Sequence, residues 1–194
     1  MNIREEWLMH AVEQIKPIFE RMGYQVPAVK VSVGFPSTGS KGRHLGQCWS
    51  SKSSADCVNQ IFIAPHLPTP IEVIDTLVHE LVHAVDDCQS GHGENFKRIA
   101  KDIGLKGPMR SAGAGEELMK DLIKIADLLG HFPHGRLNIQ RAASNAAVKR
   151  PGAKCSTCGY EIVMLKTNTL DSCHMDVLDN VFVNFAFPIC AYLP

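Results

Sequence analysis

The residues best suited to chemistry lie in one short run, His79-Glu80-Leu81-Val82-His83, which has the pattern H-E-x-x-H. On a helix, residues four apart share one face, so both imidazoles can bind a single metal ion at about 2.0–2.1 Å. Glu80 lies beside them, where its carboxylate can accept a proton from water that the metal activates. The pattern therefore predicts a zinc site with His79 and His83 as ligands and Glu80 as general base.

A zinc site of this kind needs a third protein ligand, with the fourth position left for water. The downstream candidates are Asp86, Asp87, His92 and Glu94. Asp87 lies one further turn along the same helix, nearly collinear with the first two ligands, which fits a tetrahedron poorly. His92 lies beyond the helix between Gly91 and Gly93, which permit a tight reversal of the chain. We therefore predict His92 as the third ligand, with Asp87 as a hydrogen-bond partner of the site or a solvated acid.

The residues before the motif predict the helix that must hold it. Thr69 is a candidate N-cap, Pro70 suits the first helical position, and Glu72 completes a Thr-x-x-Glu capping box. The apolar residues that follow recur at helical spacing: Ile71, Ile74, Leu77, Val78, Leu81, Val82 and Val85. We expect this stripe to pack on the core and the helix to end near Cys88.

Other elements are predicted from apolar periodicity and turn residues. They are helices over residues 5–22, 94–103 and 116–129, and strands over residues 29–35, 46–50 and 58–64. Pro17 is expected to kink the first helix or split it in two. The set predicts an α+β domain in which the metal-binding helix packs on a small antiparallel sheet of three to four strands.

Several of these segments resemble the SprT-like metallopeptidase family, which is related to the Spartan proteases that digest proteins crosslinked to DNA. The similarity covers about residues 5–165 and includes the H-E-x-x-H run and the later Ser90-Gly91-His92-Gly93-x-x-Phe96. Further similar segments are VSVGFPS (31–37), GQCWS (46–50), IFIAP (61–65) and LGHFPH (129–134). The resemblance implies a zincin-like fold with three histidine ligands and a catalytic glutamate. These correspond to His79, His83, His92 and Glu80.

After Gly130 the composition changes. Residues 131–153 contain small and basic residues together with Pro133, Gly135, Pro151 and Gly152. This composition predicts a linker between a metallopeptidase domain over residues 1–130 and a small cysteine-bearing module over residues 154–194.

Within that module, Cys155-Ser156-Thr157-Cys158 resembles the first half of a zinc ribbon, which SprT-like proteins often carry at the C-terminal end. A ribbon needs four soft ligands, usually from a second C-x-x-C, and the chain has none. Three arrangements stay open: a variant ribbon using Cys173 or His174 with Cys190, a partial site, or a degenerate module that binds no metal. The candidate ligands of a second, structural zinc ion are therefore Cys155, Cys158 and Cys173.

The charge balance favours no polyanionic partner for the chain as a whole, because 20 Lys and Arg offset 20 Asp and Glu. Cations predominate locally, however, so the basic segment 136–166 is either a DNA contact or a solvated linker. We find no signal peptide or apolar span that predicts a membrane protein, and no glycine-rich loop that predicts a nucleotide cofactor. The expected location is cytoplasmic.

Other residue types that can do chemistry are scattered. Cys48, Cys57 and Cys88 are predicted to be small buried groups rather than nucleophiles. The isolated histidines are candidates for substrate contacts, against an ordinary surface or core role: His44, His66, His131 and His134.

These features together predict a zinc metallopeptidase that acts on proteins or peptides, with DNA-associated proteins as candidate substrates. Two other classes stay open. One is a DNA-associated zinc-binding protein whose metal site is vestigial or non-proteolytic. The other is a structural zinc domain, which would close the coordination shell with four protein ligands.

Overall fold

The computed structural model describes residues 3–39 and 44–139, together with the backbone of residues 152–154 and 161–163. The chain divides into two compact units, residues 1–142 and 143–194. The first unit contains, in order, α1 (Arg4–Arg21), β1 (Val29–Val33), β2 (Gly46–Trp49), β3 (Asn59–Ile63), α2 (Pro70–Val85), α3 (Glu94–Ile103), β4 (Leu105–Lys106), β5 (Gly113–Ala114) and α4 (Glu116–Leu129). The α+β class is therefore confirmed.

The main sheet differs from the prediction in strand direction. Its order is β1-β3-β2, with β3 antiparallel to β2 but parallel to β1. The prediction of an antiparallel sheet was therefore wrong for the β1–β3 pair, and the sheet is mixed. Alternating apolar residues indicate which face of a strand is buried, but they do not encode the direction of its neighbour.

The first helix, α1, runs without a break from Arg4 to Arg21 and contains Pro17. Of the two expected effects of this proline, a kink or a split, the split is therefore wrong. Pro17 lies on the exposed side of the helix, where water can solvate the carbonyl that loses its helical partner. The opposite side buries Trp7 and Phe19 completely. The helix is held by this packing rather than by an unbroken hydrogen-bond ladder.

The metal-motif helix, α2, begins as predicted. The Thr69 side chain accepts a hydrogen bond from the Glu72 backbone at 3.3 Å, and its hydroxyl donates to the Glu72 carboxylate at 2.6 Å. The buried side of α2 includes Leu77, Leu81 and Val82, all of them inaccessible to solvent. The helix ends at Val85, somewhat before the expected Cys88.

Residues 131–139, at the start of the predicted linker, pack within the first unit. The ring centroid of Phe132 lies 4.8 Å from that of Trp7. The Leu137 backbone donates a hydrogen bond to the Pro65 carbonyl at 2.8 Å. In the second unit, β6 (Gly152–Lys154) and β7 (Glu161–Val163) pair antiparallel. No helix among the described residues is long and apolar enough to cross a lipid bilayer.

Candidate metal centre

Three histidines converge on one point beside α2. The His92 Nε2 atom lies 3.4 Å from the His79 Nε2 atom and 3.3 Å from the His83 Nε2 atom. Nitrogens that bind one ion at about 2.0–2.1 Å with tetrahedral angles are separated by about 3.3–3.4 Å. The spacing therefore suits a single small metal ion. The cluster His79-His83-His92 could hold such an ion, with each imidazole offering one nitrogen.

The loop after α2 brings His92 to this point by the predicted glycine-flanked reversal. Gly91 has a φ of 51°, which favours glycine. The Gly93 backbone donates to the Ser90 carbonyl at 2.8 Å, and a Cβ on Gly93 would lie 2.9 Å from that oxygen. The Ser90 hydroxyl is hydrogen-bonded to the Asp86 carboxylate, which anchors the loop to the end of the helix.

One aromatic side chain supports all three imidazoles. Phe96 is fully buried in α3. Its ring centroid lies 5.1 Å from that of His79, 4.3 Å from that of His83 and 4.9 Å from that of His92. Such packing restricts the rotation of the ligand rings, so they are arranged before any ion arrives.

The imidazoles are held in the neutral form that a metal requires. Burial lowers the pKa of His79, and burial together with the nearby His79 and His92 lowers the pKa of His83 to about 3. Burial also lowers the pKa of His92. The His79 Nδ1 atom lies 3.0 Å from the Ala112 carbonyl oxygen. Because that oxygen can only accept, the contact fixes the His79 proton on Nδ1 and leaves Nε2 free to bind a metal.

Glu80 lines the same cavity as the three histidines and is 5% exposed. Burial raises the pKa of this carboxyl to about 8, although a hydrogen bond from the Cys48 backbone opposes the shift. Strand β2 causes the burial. A Cβ added to Gly46 would lie 2.7 Å from the Glu80 Oε1 atom and 2.8 Å from the Thr76 Cγ2 atom. Only glycine allows the strand to approach the carboxylate this closely.

Strand β2 forms one wall of the site, and residues 109–114, which lie against the same helix, form a second. Its Ala112 carbonyl accepts the hydrogen bond from His79 described above. The Ala114 backbone donates to the Asp75 Oδ1 atom at 2.8 Å. A Cβ on Gly113 would lie 2.9 Å from the Asp75 Oδ2 atom. Two hydrogen bonds therefore fix this segment to positions 75 and 79, which are one helical turn apart.

The walls enclose a cavity of about 450 Å³ that contains the three imidazoles and the Glu80 side chain. This volume lies within the range of sites that bind small molecules or peptide side chains. Two cationic or titratable side chains, Arg110 and His44, also line the cavity, and their charges help to lower the pKa of His92. The arrangement combines a candidate metal site, a buried carboxyl group and a cavity large enough for part of a substrate.

The four isolated histidines were candidates for substrate contacts, against an ordinary surface or core role, and most of them lie away from the cavity. Of the four histidines, His44 lines the cavity. The His134 Nε2 atom lies 3.0 Å from the Pro65 carbonyl oxygen, His66 has a buried Nδ1 atom without a hydrogen-bond partner, and His131 is exposed.

The cysteine prediction was wrong in part. Cys57 is exposed, whereas Cys48 and Cys88 are half-buried and line the cavity. Cys155, Cys158 and Cys173, the candidate ligands of a second ion, lie outside the described residues, as does most of the basic segment 136–166.

Asp87 has neither of its two predicted roles. Its Oδ1 atom accepts hydrogen bonds from the Ser51 backbone at 2.7 Å and from the Asn59 side chain at 2.9 Å. Its Oδ2 atom accepts from the hydroxyls of Ser50 and Ser51, each at 3.1 Å. The carboxylate thus joins the end of α2 to the sheet. These bonds lower its pKa.

Three functional contributions were missed by the sequence analysis. Gly46 carried a usable signal, because a glycine within a strand often marks a close approach of the backbone. Asp75 also carried one, since it lies four residues before His79 and shares its helical face. Ala112 carried none, because it acts through a backbone carbonyl that every residue possesses.

Comparison with known proteins adds no identification: no family model matches the chain, and no curated protein or solved structure matches it either. Its function has to be inferred from the site itself.

Proposed function

We propose that this chain is a zinc-dependent peptidase of the SprT-like type, with His79, His83 and His92 as ligands and Glu80 as general base. The observation that carries the proposal is the convergence of three imidazole nitrogens, two of the separations being 3.3 and 3.4 Å. Neutral imidazoles are common ligands of Zn²⁺, and the spacing suits tetrahedral geometry.

The number of donors favours a catalytic site over a structural one. Among the described residues, the cluster offers three ligand atoms. A structural zinc site is normally closed by four protein ligands, whereas a catalytic site has three and keeps one position open. The cavity beside the cluster provides the space that an open position needs.

When bound, zinc would supply Lewis-acid chemistry, making water a better nucleophile and polarising the carbonyl of the substrate. Glu80 accepts the proton of the attacking water and delivers it to the leaving amine. Its burial supports the second step, because a carboxyl with a raised pKa holds the proton until the amine takes it. The Ala112 carbonyl keeps the His79 ring in one orientation throughout.

A peptide fits this site better than a small amide does. Strand β2 pairs with β3 on one side and forms an edge of the described main sheet. Gly46, Gln47 and Cys48 of this strand line the cavity. Unpaired backbone groups on a strand edge can bind an extended peptide as an additional strand. The Cys48 N–H and carbonyl already have partners in Glu80 and Cys88, so the peptide would pair with the part of β2 that precedes Cys48. Such a peptide would run past Glu80 and the three imidazoles.

The rival function, a DNA-associated zinc protein without peptidase activity, depends on the basic segment 136–166 and on the Cys155 and Cys158 pair. No observation among the described residues favours it. Its distinguishing result would be a DNA affinity that falls steeply with salt, in a protein that cleaves no peptide.

The decisive experiment measures zinc content and peptide hydrolysis in the same preparations of the full chain. Glu80→Gln should retain the zinc content of the wild type and lose about 10²–10⁴-fold in kcat, because general-base catalysis contributes that much. A library of quenched-fluorescent peptides supplies the substrate, and elemental analysis supplies the zinc content. Glu94→Gln is the matched control, since the Glu94 side chain is 90% exposed and lies outside the cavity.

Two outcomes would contradict the proposal. A Glu80→Gln variant with wild-type hydrolysis would remove the assigned base. A wild-type chain that holds zinc but cleaves no member of the library would leave a metal site without the proposed activity.

A further inference from the structure

Two cysteines lie together in the wall of the metal cavity. Cys48 belongs to β2 and Cys88 follows the end of α2, and both are half-buried and line the cavity. The Cys88 thiol lies 3.6 Å from the Cys48 carbonyl oxygen, to which it can donate. The Cys48 thiol in turn lies 3.8 Å from the Trp49 carbonyl oxygen. Neither group has a role in the proposed hydrolysis.

The end of α2 directs Cys88 toward β2. The Cys88 backbone donates to the His83 carbonyl at 2.8 Å and the Asp87 backbone donates to the Ala84 carbonyl at 3.0 Å. These two bonds form a Schellman motif, in which the chain reverses through a left-handed residue that is usually glycine. Here Asp87 has a φ of 53° and Cys88 has a φ of 59°. Both are conformations that L residues rarely adopt.

The end of α2 also holds Cys48 in place. The carboxylate of Asp87 accepts hydrogen bonds from Ser50 and Ser51, which directly follow β2. The strand that carries Cys48 is therefore fastened to the turn that carries Cys88. Because the Cys88 sulfur already contacts the Cys48 backbone, rotation of the two side chains can bring the sulfurs toward the bond length of a disulfide, about 2.05 Å.

A cysteine thiolate is the form that reacts with oxidants, and the sulfenic acid that it forms condenses with a second thiol nearby. Both cysteines line the cavity, through which a small oxidant can reach them. The pair therefore supplies one thiol that is oxidised and one that resolves the product.

We propose that Cys48 and Cys88 are an oxidisable pair, which hydrogen peroxide converts to a disulfide between β2 and the end of α2. The Cys88 thiolate attacks one peroxide oxygen, the O–O bond breaks, and the hydroxide released takes up a proton to become water. The Cys48 sulfur then attacks the sulfenic acid on Cys88. An S–S bond forms, the S–O bond breaks, and the departing hydroxide combines with the Cys48 proton as a second water.

Two electrons pass from the sulfurs to the peroxide in this sequence, and no other reagent is required. The inference does not depend on the proposed peptidase activity, because the disulfide can be detected directly. Its place in the cavity wall means that oxidation would covalently fasten the strand that packs against Glu80 to the helix that carries it.

The test exposes the zinc-loaded full chain to increasing hydrogen peroxide, alkylates the remaining free thiols and maps the cysteine peptides by mass spectrometry. We expect the peptides of Cys48 and Cys88 to be recovered joined, with loss of alkylation at both, while exposed Cys57 is still alkylated. Dithiothreitol should restore alkylation at both positions. Cys88→Ser should leave Cys48 unlinked, and the control Cys57→Ser should leave the Cys48–Cys88 link intact.

Peptide mapping also separates this pair from the cysteines beyond residue 150. The peroxide concentration is raised until Cys57 itself becomes oxidised, so that an inadequate dose cannot be mistaken for a stable pair. The inference is overturned if Cys48 and Cys88 are still alkylated at that dose. It is equally overturned if either one is recovered linked to a different cysteine.

Discussion

Strand β2 packs on α2 beside Thr76 and Glu80, and the segment 109–114 packs on it beside Asp75 and His79; the two serve the site by different physical means. The strand acts by close packing: Gly46 leaves no room for a Cβ beside Glu80, and the carboxyl is shielded from water. The segment acts by directed hydrogen bonds, one from His79 to the Ala112 carbonyl and one from Ala114 to Asp75.

The difference predicts that the proton affinity of Glu80 and the metal affinity of the histidine cluster are controlled separately. Shielding a carboxyl changes the free energy of its charged form and thus its pKa. A hydrogen bond to a ligand fixes its tautomer and orientation and thus the strength with which it binds a metal. Substitutions in strand β2 should therefore alter the rate of hydrolysis while the metal is retained. Substitutions that affect the segment 109–114 should alter the metal affinity.

The largest effect is expected on the pH dependence of the free energy of unfolding when the protein holds no metal, because the Glu80 carboxyl is shielded from water. In the folded chain burial raises the pKa of Glu80 from 4.5 to about 8. The folded state therefore keeps this proton over a pH range in which the unfolded chain has lost it. The free energy of unfolding should fall as pH rises from about 4.5 to about 8, by at most about 5 kcal/mol.

Glu80→Gln should remove this slope, because glutamine does not ionise. The measurement is urea unfolding in chelator at several pH values, comparing wild type with Glu80→Gln and with the control Glu94→Gln. The neutral histidines destabilise the folded state at low pH in all three proteins and cancel in the comparison. Equal pH slopes for wild type and Glu80→Gln would contradict the claim that β2 shields the carboxyl.

A substitution in strand β2 should have the next largest effect. In Gly46→Ala the new Cβ would meet Glu80 and Thr76 at 2.7 and 2.8 Å, so the strand or the carboxylate must move. Displacing a catalytic group by about 1 Å costs about 10²-fold in rate. We expect that loss in peptide hydrolysis, with the zinc content of the wild type. Kinetic assays and elemental analysis on the same preparation check both parts.

The matched control is Gly135→Ala, because a Cβ on Gly135 meets no atom within 4 Å. It should behave as wild type in both measurements. Full activity in Gly46→Ala, with the fold verified by circular dichroism, would show that the contact with Glu80 is not needed for catalysis.

The smallest effect is expected from a substitution that loosens the segment 109–114. Asp75→Ala removes the acceptor for the Ala114 backbone and loosens the segment whose Ala112 carbonyl orients His79. Loss of such an outer partner weakens metal binding by about 10-fold or more. Competition with a chromogenic chelator measures the Kd for zinc. The rate per bound zinc should change much less than the affinity.

Asp75→Asn is the informative companion, because its amide oxygen can still accept the Ala114 hydrogen bond. It should bind zinc nearly as tightly as wild type. If Asn and Ala weaken zinc binding equally, the charge of Asp75 rather than its hydrogen bond supports the site, and the contrast between the two walls would have to be revised.

The sequence predicted well those parts of the site that depend on neighbours along the chain. The N-terminal end of α2 is one example, since Thr69 and Glu72 are three residues apart and interact as expected. The C-terminal end is a counterexample. There Asp87 takes a left-handed conformation that usually requires glycine, and its carboxylate is bound by Ser50, Ser51 and Asn59. Nothing in the local sequence indicates these distant partners.

The sequence alone was enough to predict the candidate ligand pair on α2, the capped start of that helix and the glycine-flanked turn that brings in His92, because each depends on local backbone geometry. Only the packed core sets the direction of β1 relative to β3, the raised pKa of Glu80, the tautomer of His79 and the meeting of Cys48 with Cys88. Each of these depends on a contact between segments far apart in sequence. Such contacts form only when the whole core packs, and no local pattern specifies them.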